Sequence, residues 1–112
     1  MTVALDIIIE SGSTWNPSYR ITGVNYYSSH TVTMNFKRDH SSSTVLKSLS
    51  SATLGIALSG SGSSHTDIAP ILTATETAAL PRDFRGVYTI EATLGGTSTR
   101  VQEGSFLTTP EA

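Results

Sequence analysis

The chain has 112 residues, 38% hydrophobic and only 14% charged, with a formal net charge of −2 at pH 7 and no cysteine. That length supports one domain, residues 1–112, around one modest core. Seven Lys and Arg scattered singly give no basic stripe for nucleic acid, no apolar run approaches the roughly 18 residues of a membrane span, and a chain without cysteine has no disulfide, thiol nucleophile or Cys-ligated metal.

Hydroxyls take the place of the missing charge: 17 Ser and 17 Thr. Low net charge with abundant Val, Ile and Thr argues for a folded, Thr-rich β protein rather than a disordered one. The first ten residues lack a basic n-region and carry Asp6 and Glu10 within their apolar stretch, so they are not read as a signal peptide.

In chain order, Ala4 to Ile9 reads as a strand closed by the turn residues Ser11-Gly12-Ser13. A second strand covers Tyr19 to Val24, entered through Asn16-Pro17. The clearest is Thr31 to Lys37, where Val32, Met34 and Phe36 alternate with polar residues as in a half-buried strand. Residues 38–43 form a hairpin loop into Thr44 to Leu49. A further strand aligns Leu54, Ile56 and Leu58, and the Ser/Gly run at 59–64 reads as a flexible loop. Ile68 to Leu72 resumes the apolar character, with Pro70 assigning it to a sheet edge or bulge.

One helical signal stands in the chain. Thr73 with Glu76 forms a capping box, Thr77-Ala78-Ala79-Leu80 adds a turn or two, and Pro81 stops it, which places a short helical turn near residues 74–80. Gly86 to Leu94 then alternates Tyr88, Ile90, Ala92 and Leu94 against polar positions, Gly95-Gly96 turns a hairpin, and Thr97 to Phe106 returns. Gly104 marks a bulge there that lets Val101 and Phe106 both face inward. The pattern predicts an all-β, immunoglobulin-like β-sandwich of seven or eight strands. Periodicity alone leaves a small barrel as the other solution.

Candidate chemistry is sparse. His30, His40 and His65 sit in Ser-rich sequence and read as exposed loop histidines. No pair has the i, i+2 strand or i, i+4 helix spacing of a metal site, and a Ser-His-Asp triad has no support in the spacing. Neither a nucleophile elbow nor a phosphate-binding loop is present. No catalytic, cofactor or metal residues are assigned, and the chain is read as no enzyme. Trp15, Tyr19, Tyr26 and Tyr27 fall within 13 residues. Trp15, Tyr26 and Tyr27 are the candidate partner-binding residues, as an interface hot spot or a carbohydrate-stacking patch. The competing reading is that Trp15 and Tyr19 plug one end of the core.

Longer stretches carry a resemblance. Leu72-Thr73-Ala74-Thr75-Glu76-Thr77-Ala78-Ala79-Leu80-Pro81, Gly86-Val87-Tyr88-Thr89-Ile90-Glu91, Gly95-Gly96-Thr97, Thr99-Arg100-Val101, Glu103-Gly104-Ser105-Phe106 and Thr109-Pro110-Glu111 resemble small structural proteins of tailed bacteriophages and prophages. These are similar in outline to the immunoglobulin-like N-terminal modules of upper-baseplate and tail-fibre-attachment proteins. Asp6 to Trp15 and Thr33-Met34-Asn35-Phe36-Lys37-Arg38 are compatible with that group, and residues 16–30 depart from it.

The resemblance implies a non-enzymatic virion protein, assembled in the host cytoplasm. It would dock in multiple copies, as a homo-oligomer within the particle, onto other virion proteins of the tail, baseplate or fibre-attachment region. Capsid decoration and a free host-surface or carbohydrate-binding module are the alternatives.

Overall fold

The computed structural model describes residues 3–23, 25–26, 30–39, 41, 44–53, 55–61, 64–81 and 84–109. The elements run β1 (Val3–Ala4), β2 (Ile7–Glu10), β3 (Tyr19–Thr22), β4 (Thr31–Lys37), β5 (Val45–Ser50), a 3-10 turn (Ser51–Thr53), β6 (Ile56–Ser61), β7 (His65–Pro70), α1 (Ala74–Ala79), β8 (Phe84–Leu94) and β9 (Thr97–Thr109). No helix among the described residues is long and apolar enough to cross a membrane.

Two sheets form. One has the order β1-β9-β8-β4-β5, with β2 also on β9, and the other has the order β3-β7-β6. β1 and β2 pair with β9 in one continuous parallel register, Val3↔Gln102 through Glu10↔Thr109, so they are one N-terminal strand interrupted at Leu5-Asp6. Counted that way, the described residues form eight strands, and the larger sheet, six-stranded by its labelled segments, has five. A first strand parallel to the last, β3, β7 and β6 forming one sheet, and a long hairpin with two further strands forming the other is the arrangement of an immunoglobulin-like β-sandwich.

Alternation fills the core. Val32, Met34 and Phe36 from β4 meet Tyr88, Ile90 and Ala92 from β8, together with Val101 and Phe106 from β9. Ile21, Ile56 and Ile68 face them from the small sheet. Most of the residues that alternate with them are polar and lie outside, the expected division for an antiparallel sheet with one wet face. Aromatic rings run edge to face along one end: Trp15 on Phe36 at 6.1 Å, Phe36 on Phe106 at 5.2 Å, and Phe106 tilted against Phe84 at 6.1 Å.

Four expectations are corrected. The Ser/Gly run at 59–64 is not wholly a loop: β6 continues through Ser61, because backbone pairing with Thr66 and His65 needs no apolar side chain. Pro70 does not put its strand at an edge. β7 is central, but β3 ends at the Tyr19↔Ile68 pair, so the proline lies past β3's reach, where no second ladder needs an N–H. The bulge of the last hairpin lies at Val101, between the Ile90↔Gln102 and Glu91↔Arg100 pairs, which turns Val101 and Gln102 both inward. Gly104 serves another purpose: any Cβ there would collide with the Leu5 carbonyl. His65 is a half-buried strand residue, the first of β7.

The final hairpin turns as expected. Gly95 and Gly96 take φ of +59° and +87°, the two positive values a type I′ turn requires. α1 crosses from the small sheet to the large one, and the N–H groups at its start are met by the capping box between Thr73 and Glu76.

Candidate functional site

Trp15 and Tyr26, close in the sequence, meet opposite ends of β7. Trp15 exchanges backbone hydrogen bonds with Leu72 at 2.9 and 2.8 Å, just past the C-terminal end of β7. Its half-buried ring packs edge-on against Phe36. Tyr26 donates its backbone N–H to Thr66 Oγ1 at 2.9 Å, near the start of β7, and its half-buried ring meets His30 edge-on at 5.0 Å. Six residues at about 3.3 Å each put the two attachment points ~20 Å apart. Tyr27 lies outside the described residues. Tyr19 packs inward against the core, and burial pushes its hydroxyl pKa well above the usual tyrosine range.

Three surfaces remain. The outer face of the six-stranded sheet carries Thr31, Thr33, Asn35, Thr89 and Thr93, with a shallow recess of about 100 Å³ lined by Asn35, Lys37, Val87, Thr89, Glu91 and Arg100. Arg100 reaches Glu103 at 3.1 Å and Glu91 at 3.8 Å, while Lys37 forms no ion pair among the described residues. A groove of about 490 Å³ runs between the start of β4 and β6, floored by Ile56 and Leu58 and edged by His30, Thr31 and Ser51.

The outer face of the small sheet brings together Ser61, His65 and Asp67. Pairing sets Ser61 opposite His65, and Asp67 follows two residues along the same face. These are the side chains of a serine-hydrolase triad, but they are not connected as one. Arg20 holds Asp67 through two hydrogen bonds of 2.9 and 3.2 Å, and this pairing lowers the carboxyl pKa below its usual range. His65 Nε2 stands 3.6 Å from Asp67, and no hydrogen bond joins Ser61 to His65. The face is open, whereas an acyl-transfer site needs donors converging on an oxyanion. Among the described residues no three His, Asp or Glu side chains gather to hold a metal ion.

The residues that carry the phage resemblance are mostly those that build the fold. Thr73 and Glu76 cap α1, Leu80, Tyr88, Ile90 and Phe106 are buried, and Gly95-Gly96 makes the turn. Gly86 has no room for a side chain, since a Cβ would stand 2.6 Å from the Phe106 ring.

No protein-family model matches the chain, and no curated protein matches it. Solved structures do. One is the extracellular domain of the voltage-gated sodium channel beta4 subunit, a parallel homodimer with a role in cell–cell adhesion. It is 15% identical with a TM-score of 0.48, over 100% of this chain and 96% of that one.

Proposed function

We propose that the chain is a non-enzymatic structural protein of tailed-phage virions, docking in several copies onto other proteins of the tail, baseplate or fibre-attachment region. The observation that carries the docking reading is the outer face of the six-stranded sheet. It is broad, rich in threonine, low in net charge and, among the described residues, covered by nothing. Such a face suits a rigid neighbour that supplies matching hydroxyls and shape. The virion setting is supported by the resemblance over 72–111, which spans α1, β8 and β9 and so the longest ladder of that sheet.

Stacking on a sugar is the weaker reading. Trp15 turns its ring edge-on into the core, not flat to solvent, and stands far from Tyr26.

Quantitative mass spectrometry of purified particles, scaled to the major capsid protein, tests the assignment. A few copies per particle are expected. Copies rivalling the capsid protein would move the chain to head decoration, and absence from particles would overturn the virion reading.

A further inference from the structure

Among the described residues, nothing pairs with the outer edge of the N-terminal strand, which leaves one edge of the six-stranded sheet open. Its ladder to β9 uses odd-numbered residues: Leu5 N–H donates to Glu103 O at 2.9 Å and Ser11 N–H to Thr109 O at 3.1 Å, with Ile7↔Phe106 and Ile9↔Thr108 in register between. In a parallel ladder, alternate residues turn both backbone groups to the same neighbour. Asp6, Ile8 and Glu10 therefore turn theirs away from β9. The Glu10 carbonyl accepts from Ser13 N–H at 3.3 Å, which leaves Ile8 at the centre of the unpaired stretch.

Side chains on this edge have a definite pattern. Ile8 is 65% exposed, although Ile7 and Ile9 on either side are buried. It stands beside Leu107 on the outer face, and Leu107 stands beside Arg85, so an apolar row runs out to the open edge and stops. Glu10, exposed, flanks Ile8 two residues away on the same face; Asp6, exposed on the other side of it, has one carboxylate oxygen accepting from Ser105 N–H at 3.1 Å, which leaves its second oxygen for a cation. A second copy of β2 is a poor occupant. Antiparallel pairing about Ile8 sets Asp6 against Glu10 twice, and in-register parallel pairing sets each acid beside itself. Like charges opposite one another destabilise a sheet.

We propose that the open edge of β2 is a strand-addition site for an extended segment of a partner protein, with an apolar residue against Ile8 and Lys or Arg two residues to either side, against Asp6 and Glu10. Backbone groups of Ile8 supply the hydrogen bonds, and the charge pattern supplies the selection. This rests on the docking reading and names the partner's chemistry.

The test titrates the ¹⁵N-labelled full chain with the peptide acetyl-Thr-Lys-Thr-Val-Thr-Lys-Thr-amide and with its counterpart carrying Glu for Lys. The Lys peptide is expected to shift the Ile8 and Glu10 amide signals saturably and to weaken several-fold at high salt, with no response to the Glu peptide. Ile8→Pro removes an N–H that the ladder to β9 does not use, so it should melt close to wild type and lose the peptide. Should Ile8→Pro fail to fold, Glu10→Lys serves, with several-fold weaker binding of the Lys peptide expected. Equal response to both peptides, shifts confined elsewhere, or undiminished binding by these variants would overturn the site. So would a dimer by sedimentation that Ile8→Pro abolishes, because the occupant would then be a second copy. A chain found in particles but silent to the peptide sinks the edge site alone. A chain that binds the peptide but is absent from particles sinks the virion reading alone.

Discussion

Tyr88 holds the N-terminal strand to the core through its one polar atom. The hydroxyl donates to the Leu5 carbonyl at 2.6 Å and accepts from Gln102 Nε2 at 2.9 Å. In an unbroken ladder that carbonyl would take the Ser105 N–H. Instead the Asp6 carboxylate takes it, at 3.1 Å, and this hydrogen bond lowers the Asp6 pKa. Tyr88→Phe leaves the buried Gln102 amide and the Leu5 carbonyl without this partner and should cost about 2 kcal/mol in denaturant unfolding. Burial, as the largest effect, raises the Tyr88 pKa above its usual 10.0. A raised pKa means stability that is whole below the unfolded value and lost as pH rises through the folded one, so wild type should lose stability above pH ~10. Tyr88→Phe should flatten part of that loss, with Tyr19 supplying the rest. Ser11 is the opposite case: its Oγ is buried with no hydrogen-bond partner among the described residues. Ser11→Ala should leave stability unchanged or raise it by up to about 1 kcal/mol, since a hydroxyl desolvated without compensation is removed. A loss above that in the same unfolding assay would mean the hydroxyl has a partner.

α1 shows how an element too short to stand alone is held. Six residues cannot offset the cost of helix nucleation in isolation. Thr73 and Glu76 bond each other's backbone N–H groups at 3.2 and 3.0 Å. Thr77 is buried, its hydroxyl donating to Ser13 O at 2.8 Å and accepting from Gly12 N–H at 3.1 Å. Lys47 of β5 reaches Glu76 at 2.6 Å. Thr73→Ala should therefore cost about 1 kcal/mol by chemical unfolding. The Lys47 ammonium first, and the Thr73 N–H second, lower the Glu76 pKa from its usual 4.5. Its contribution is then whole above that value and lost as pH falls through the lower folded one. Glu76→Gln should melt below wild type at neutral pH and match it in strong acid, and parallel melting curves across that range would refute the role.

The capping box was legible because it is local, as was the alternation in β4 and β8. The Leu5-Asp6 interruption was not, because it depends on a glycine 99 residues away in register. Nor was the continuation of β6, where Ser59-Gly60-Ser61 pair through backbone alone. Trp15 and Tyr26 illustrate the same limit at the candidate site: nearness along the chain does not set which end of β7 each residue meets. Ile8 could be found only by phase, since two buried isoleucines on either side fix the one that must face out.

At the scale of the molecule, the chain passes between the two sheets four times: from β2 to β3, β3 to β4, β5 to β6, and through α1 from β7 to β8. The core cannot form without all of these crossings, so unfolding should be a single cooperative event, with no cross-link to help it. The N-terminal strand has a special place in that event because, among the described residues, it pairs only with β9, 99 residues on in register. Bringing those segments together is a long-range closure, the kind that slows folding in β-sandwiches. Removing residues 1–10 would take Ile7 and Ile9 from the core, expose the edge of β9, and leave the Tyr88 hydroxyl without its acceptor. Two buried aliphatic side chains alone amount to ~3–6 kcal/mol, against a net stability of about 5–15 kcal/mol for a natural domain. The truncated chain is therefore expected to melt at least 10 °C below the full one, or to show no cooperative transition by circular dichroism. Ile8→Thr, which changes only the exposed residue of the same strand, should melt within a few degrees of wild type. If the truncated chain kept the full melting temperature, the N-terminal strand would be an accessory on a sheet that is complete without it. The open edge would then belong to β9 instead of β2.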